Sequence, residues 1–242
     1  MTMLFGWGPM FGCPSPSPFV LKTDVQLQMF DIGFEHAIAD LDSVSKRKAP
    51  YVEDDGQIIE DSTFIRLHFE KKLGIDLDEG LDDEQRATAW AFERMLESEL
   101  TPIVTHERWL EGDNFDRGPA MFFAGVPEMA RAQVMEGAVE GLRAGYIASG
   151  IGRHSRDERM LLARRAIDAT AAFLGDKAFM LASHPTALDA AAYGVIASCT
   201  APIFETDLKA MVAGHANLVA YLRRMEERFF ATNAWPSMME MA

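Results

Sequence analysis

The chain predicts a small α/β unit up to about residue 75 and an all-α unit after it. Three observations carry that prediction. Strand-like runs are confined to the first 60 residues, where they alternate with one helical stretch. The acidic stretch Ile75-Asp-Leu-Asp-Glu-Gly-Leu-Asp-Asp83 then breaks the pattern. Beyond it every apolar repeat has helical period, and two helix starts carry side-chain caps, Ser155-x-x-Glu158 and Thr186-x-x-Asp189. The expected division is residues 1–75 and 84–242, with 76–83 as a linker.

In chain order, Met3 to Trp7 reads as a first strand. A proline-rich loop, Gly8 to Pro16, follows without helical period. Pro18 suits the first position of a helix and makes Ser17 its N-cap. Val20, Leu21, Val25 and Met29 supply the buried side, and Gly33 is the expected end. Phe34 to Ala39 is a second strand. Tyr51-Val52 and Gln57 to Ile59 pair across Asp55-Gly56, a strong two-residue hairpin signal. Ser62 is expected to cap a helix with Ile65, Phe69 and Leu73 on one face and Gly74 as its stop.

Past the acidic stretch, helices are expected over Glu84 to Glu99, with Trp90, Met95 and Leu96, and over Glu128 to Tyr146. A third runs from the Ser155 cap to Leu174, stopping at Gly175. The helix after Thr186 is apolar nearly all round and belongs at the centre of a bundle. Leu218, Leu222, Met225 and Phe229 mark a last amphipathic helix.

Composition removes several function classes. The 242 residues are 48% hydrophobic and 25% charged, as in an ordinary globular chain, and the formal net charge is −14. Phosphate repels such a chain, so nucleic acid and anionic membrane surfaces are not expected partners. The apolar run Leu188 to Ile203 is interrupted by Asp189, Ser198, Thr200 and Pro202, which marks a buried core helix and not a membrane span. Two cysteines, Cys13 and Cys199, make no disulfide framework and point to a reducing cytoplasm. The N-terminus has no basic residue before Lys22 and is a poor signal peptide. His36, His68, His106 and His184 lack metal-ligand spacing, and no metal is expected.

The stretch from Lys48 to Phe69 holds the first functional pattern. Pro50 removes a strand N–H and marks an edge, a bend or a cis bond. The stretch sets a backbone edge at Ala49 against a helix start at Asp61-Ser62. Either this is an ordinary hairpin with a capped helix, or it holds a small extended peptide: Ala49 pairing with its backbone, Ser62 and the helix N–H groups taking a carboxylate, Asp61 an amine. Lys46, Arg47 and Lys48 form a basic patch in an acidic chain, either a solvated loop or an anion site.

Taken with Ser17-Pro18-Phe19 at the first helix and the Thr186-x-x-Asp189 box, this order resembles the glutathione transferase superfamily. Gly150-Ile-Gly-Arg-His-Ser155, Gly175-Asp-Lys-Ala-Phe179 and Pro185-Thr-x-Leu-Asp189 are similar to its failed axon connections and metaxin-like subgroup. The resemblance spans nearly the whole chain. It implies a thioredoxin-like N-terminal domain, an all-helical C-terminal bundle, glutathione as co-substrate and a homodimer. It implies that Ser17 donates its hydroxyl to the glutathione sulfur. It implies that Ala49, before a cis Pro50, pairs with the cysteinyl backbone, that Lys48 meets the glycine carboxylate, and that Asp61 and Ser62 hold the γ-glutamyl end. Two departures stand out: the loop before Ser17 is several residues longer than in plant-type serine enzymes, and Trp7 stands where other members carry a catalytic tyrosine.

The expected activity is conjugation of the glutathione thiolate to a small apolar electrophile, with detoxification as its role. Phe11 and Trp109, with Met10, Met121 and Phe122, are candidates for the electrophile wall. Cys13 is the rival to Ser17; a mixed disulfide there would make the protein a thiol-disulfide reductase. A third reading is a glutathione-binding or metaxin-like interaction protein without turnover. Arg153 and His154 read as a structural turn.

Overall fold

A computed structural model describes residues 1–231. Expectations for residues 232–242, the end of the 84–242 segment, fall outside the described residues.

Four strands form one mixed sheet in the order β2-β1-β3-β4. The strands are β1 (Thr2–Gly6), β2 (Phe34–Ile38), β3 (Tyr51–Asp54) and β4 (Gln57–Glu60). β1 and β2 run parallel because helix α1 (Pro18–Met29) crosses between them. β3 and β4 form the expected hairpin, with Asp55 and Gly56 both at positive φ. β3 is paired on both sides, to β1 and to β4, so it is not an edge strand. Pro50 fits because it stands just ahead of the ladder, where its missing N–H breaks no pair; the Ala49–Pro50 bond is cis.

Helix α2 (Ser62–Leu73) ends at Gly74 in the left-handed conformation, as its sequence predicts. Its start differs from expectation. Asp61 is the N-cap and accepts the Thr63 N–H, while Ser62 is the first helical residue and is buried. Asp61 sits at φ 85°, a conformation that a short polar side chain tolerates better than most. Helix α1 also ends before Gly33. Asp31 takes the left-handed turn at φ 54°, and the preceding Phe30 is buried against α2.

Leu4, Val52 and Ile59 of the sheet pack with Val20, Leu27 and Phe30 from the α1 region and with Ile65 and Phe69 of α2. The other side of α1, Leu21 and Val25, belongs to the larger core of the helical part. α1 is therefore clamped between sheet and bundle, and every residue from Val20 to Leu27 is buried. The clamp is tight at Gly194, where a Cβ would lie 2.3 Å from the Pro18 carbonyl oxygen. It also buries Lys22, which ion-pairs with Glu93 at 2.9 Å and Glu97 at 2.6 Å.

From Asp83 onward the described residues contain no strand. α3 (Asp83–Met95) passes through a π-helical turn, Leu96–Leu100, into α4 (Thr101–Leu110). The helix expected over Glu84 to Glu99 is thus α3 and the π-helical turn, and α4 continues beyond it where no helix was expected. Pro102 supplies the reason, since it has no N–H to give the carbonyl four residues back and its ring crowds that carbonyl. A short α5 (Asn114–Arg117) and the long α6 (Glu128–Ser149) follow. α7 (Arg156–Leu174) has the Ser155/Glu158 capping box, and α8 (Ala187–Cys199) is buried along its whole length. α9 (Asp207–Ala213), which the sequence pattern did not reveal, leads to α10 (Ala216–Phe229). Asp189 takes the N–H groups of Met180 and Thr186 at 2.8 Å each and the Tyr221 hydroxyl at 3.2 Å, tying α8 to α10. No helix among the described residues is long and apolar enough to cross a membrane.

Candidate active site

Ser17 is the N-cap of α1, as its place before Pro18 predicts. Its Oγ accepts the Val20 N–H at 3.3 Å, and its own O–H has no acceptor among the described residues. It opens onto a cavity of about 590 Å³ between the sheet end and α4. The walls are mostly apolar: Trp7, Phe11, Val104, Trp109, Phe122 and Phe123. Their rings touch edge-on or stacked, with Trp7–Phe122 at 5.7 Å, Phe11–Phe122 at 5.7 Å and Trp109–Phe122 at 6.1 Å between centroids. Of the residues expected in the electrophile wall, Phe11, Trp109 and Phe122 line the cavity. Met10 packs behind Phe11, and Met121 is solvent-exposed.

The long loop before Ser17 has a definite shape. Met10 and Cys13 exchange N–H···O bonds at 3.1 and 3.0 Å around Phe11 and Gly12, both at positive φ. That is a tight turn with a left-handed pair at its corner. Gly12 is required on two counts, for a Cβ there would also meet Pro202 at 2.5 Å. The turn sends Phe11 into the aromatic wall. It sends Cys13 the other way, to a separate cavity of about 370 Å³ bounded by Tyr193, Leu222 and Glu226. Burial pushes the Cys13 thiol up; Arg108 only partly offsets this. The two rivals for the sulfur therefore lie on different cavities.

The Ala49–Pro50 and Asp61–Ser62 segments lie together, joined by a bond from the Asp61 N–H to the Pro50 carbonyl at 3.3 Å. Among the described residues neither the N–H nor the C=O of Ala49 has a partner, and neither the N–H nor the hydroxyl of Ser62 has one. Lys48 is exposed and free to swing. Lys46 is not: its ammonium bonds the Glu60 carbonyl at 2.9 Å, and Arg47 pairs with Asp42.

Arg108 was missed. Its sequence neighbourhood fell in a stretch with no assigned helix, because Pro102 interrupts the repeat. The side chain is buried, its guanidinium bonds the Pro16 carbonyl at 2.8 Å and the Ser198 carbonyl at 2.5 Å, and it lines the Ser17 cavity. Arg153 donates to the Ile147 carbonyl at 2.8 Å, and the His154 carbonyl accepts from Arg159, so that pair forms a turn. His36 bonds Asp24 at 2.7 Å and His68 bonds Asp54 at 2.8 Å. Among the described residues no cluster of three or more His, Cys, Asp or Glu could hold a metal ion.

A strand–helix–strand–hairpin–helix unit whose first helix opens on an N-cap serine with an unspent hydroxyl is a thioredoxin-like arrangement. Family models narrow it. Residues 18–114 match the glutathione S-transferase N-terminal domain and residues 163–225 its C-terminal domain. The chain belongs to the glutathione transferase family. It is 29% identical over 244 residues to an isoprene-epoxide glutathione S-transferase of Rhodococcus sp. (strain AD45), covering 95% of this chain and 99% of that protein. It is 26% identical to Failed axon connections of Drosophila melanogaster over 90% of this chain, which spans 55% of that longer protein. Among solved structures, a glutathione S-transferase of Methylobacterium radiotolerans bound to glutathione sulfonate has the same fold. Its TM-score is 0.61 at 18% identity, over 98% of this chain and 96% of that one.

Proposed function

We propose that the protein is a glutathione transferase that ionises the glutathione thiol at Ser17 and passes the sulfur to a small apolar electrophile. In this reading residues 1–75 hold glutathione, residues 84–242 close over the electrophile, and 76–83 join them. The observation that carries it is the unspent Ser17 hydroxyl, set at a helix N-terminus on the wall of an aromatic cavity. Ala49 pairs with the cysteinyl backbone, Asp61 and Ser62 take the γ-glutamyl amine and carboxylate, and Lys48 meets the glycine carboxylate. The Rhodococcus relative's substrate favours a small epoxide as electrophile. The thiolate attacks a ring carbon, the C–S bond forms as the C–O bond breaks, and the alkoxide takes a proton from water.

The energetics are adequate. A free thiol titrates near ~8.5, and lowering that by about two units needs roughly 2.7 kcal/mol. A hydrogen bond to a charged group supplies about 1.5–3 kcal/mol and a helix N-terminus about 0.3–1. A cytoplasmic location fits the unpaired thiols. A homodimer fits the exposed apolar side chains Ile58 on β4 and Phe64 and Leu67 on α2.

Similarity to Failed axon connections favours a second reading, a glutathione-binding or metaxin-like interaction protein without turnover. Calorimetric titration with glutathione, followed by glutathione consumption with a small alkene epoxide, separates the two. Binding with turnover is expected; binding without turnover on any of a panel of epoxides and halides supports the second reading. Absence of glutathione binding defeats the transferase reading. The Cys13 reductase reading draws no support from a thiol that opens onto the other cavity.

A further inference from the structure

Arg108 is the single ionisable side chain among the described residues that line the Ser17 cavity. It is 6% exposed, and burial of an unpaired cation is costly unless something compensates it. No carboxylate bonds it among the described residues. Its partners are two neutral carbonyls, of Pro16 on the turn before Ser17 and of Ser198 on α8. A guanidinium has five N–H donors, so two bonds leave three to spend. Its Cζ lies over the Phe11 and Phe204 rings, 5.8 and 5.0 Å from their centroids.

The ionisable groups around Arg108 do not neutralise it. From the turn comes the Cys13 thiol and from α8 the Cys199 thiol; burial pushes both up, Cys199 to about 12, so both are neutral near pH 7. On α4 itself, Glu107 bonds Arg156 and Thr206, and His106 lies against Glu111 and Tyr146. Arg117 of α5 pairs with Glu205. From α10, Glu226 lies toward Cys13. The result is an apolar cavity carrying one buried, uncompensated positive charge, joined through Pro16 to the residue that faces the sulfur.

We propose that Arg108 is an electrostatic and positioning residue that selects the anionic form of glutathione, by holding the Pro16–Ser17 turn and by facing the thiolate with an unneutralised guanidinium. This rests on the glutathione-transferase reading above. In general an opposite charge within about 4–6 Å of an ionising group shifts its pKa toward the charged form by about 1–3 units, an effect that would add to the hydrogen bond from Ser17.

The test uses the purified full chain and its Arg108→Gln and Arg108→Lys variants. The midpoint of bound-thiolate absorbance is read against pH, and affinities are measured for glutathione sulfonate, an anion at the sulfur position, and S-methylglutathione, which is neutral there. The wild type should prefer the sulfonate by about tenfold or more, the equivalent of one pKa unit. Arg108→Gln should lose that preference and raise the thiol midpoint by about one unit, while Arg108→Lys keeps both close to wild type. A purely structural arginine would lower the melting temperature or both affinities equally and leave the midpoint and the ratio unmoved; that result overturns the proposal. If Arg108→Gln does not fold, Arg108→Met, which keeps the apolar stem between the Phe11 and Phe204 rings without the charge, decides. A lost sulfonate preference there supports the proposal and a retained one contradicts it. A wild type that binds both analogues equally, with an ordinary thiol midpoint, removes the role of Arg108 alone. A wild type that binds neither removes the glutathione reading itself.

Discussion

Replacing Ser17 by alanine removes one hydroxyl that has two separable duties. As a cap it accepts the Val20 N–H at 3.3 Å, the long end of the range, so its contribution belongs near the lower part of the usual cap range, about 0.5–1 kcal/mol. In a chain of this size that lowers the melting temperature by about 1–4 °C. As a donor to a thiolate it is worth about 1.5–3 kcal/mol, which converts to a loss of roughly 10- to 150-fold in kcat/KM near neutral pH. The sign of the pH effect follows. Ser17 favours the anion, so its loss raises the pKa of the bound thiol. The deficit is then largest below that pKa and shrinks as the pH passes the free-thiol value of about 8.5. The assay is kcat/KM for an epoxide across pH, alongside a thermal melt and a glutathione titration, with Ser17→Thr as the control that keeps a hydroxyl. An alanine variant that binds glutathione normally and turns over at full rate at neutral pH would refute the role of Ser17.

Other expectations follow from single contacts. Asp61→Asn keeps an oxygen for the Thr63 N–H and tolerates the positive φ, so the fold should hold, while glutathione affinity drops roughly tenfold with loss of a charge-assisted bond to the amine. An unchanged affinity by calorimetry would remove Asp61 from the site. Burial alone would raise the Asp54 carboxyl, but bonds from His68, Lys72 and Thr2 outweigh it and hold it down to about 2. A depressed carboxylate stabilises the fold above its unfolded pKa near 4 and loses that contribution as the pH falls toward 2. Asp54→Asn should therefore cost about 2 kcal/mol at pH 7 and flatten the acid limb of the stability curve; an unaltered limb would contradict the assignment. Cys13→Ser should leave conjugation unchanged within about twofold, because the thiol opens onto the other cavity. A large loss would return Cys13 to the chemistry.

Much of the fold was legible because local rules agreed with the packing. The Asp55-Gly56 turn, the Pro18 and Ser155 helix starts and the Gly74 stop each follow from backbone chemistry that needs no tertiary information. The Pro50-opened hairpin and the Asp61-Ser62 helix start were legible for the same reason, being one short continuous stretch. In the opposite wall Phe11, Trp109 and Phe122 were expected, but the backbone path that brings Phe11 there was not. Phe11 enters it only because a tight turn at Phe11-Gly12 reverses the loop, and a proline-rich sequence does not announce that turn. Arg108 stayed hidden because its meaning lies in what surrounds it: two carbonyls and two aromatic rings from distant parts of the chain. The Asp61 cap was misread by one residue, since Asp and Ser are both good caps and only the backbone turn at Asp61 decides between them.

The central claim is that the glutathione sulfur lies against Ser17, with its peptide along Ala49 and its γ-glutamyl end at Asp61-Ser62. A crystal structure of the protein with glutathione tests this most directly. The account predicts the sulfur within hydrogen-bond reach of the Ser17 Oγ, on the Arg108 side of the cavity. Glutathione seated with its sulfur against Cys13, in the cavity bounded by Tyr193 and Glu226, would contradict it.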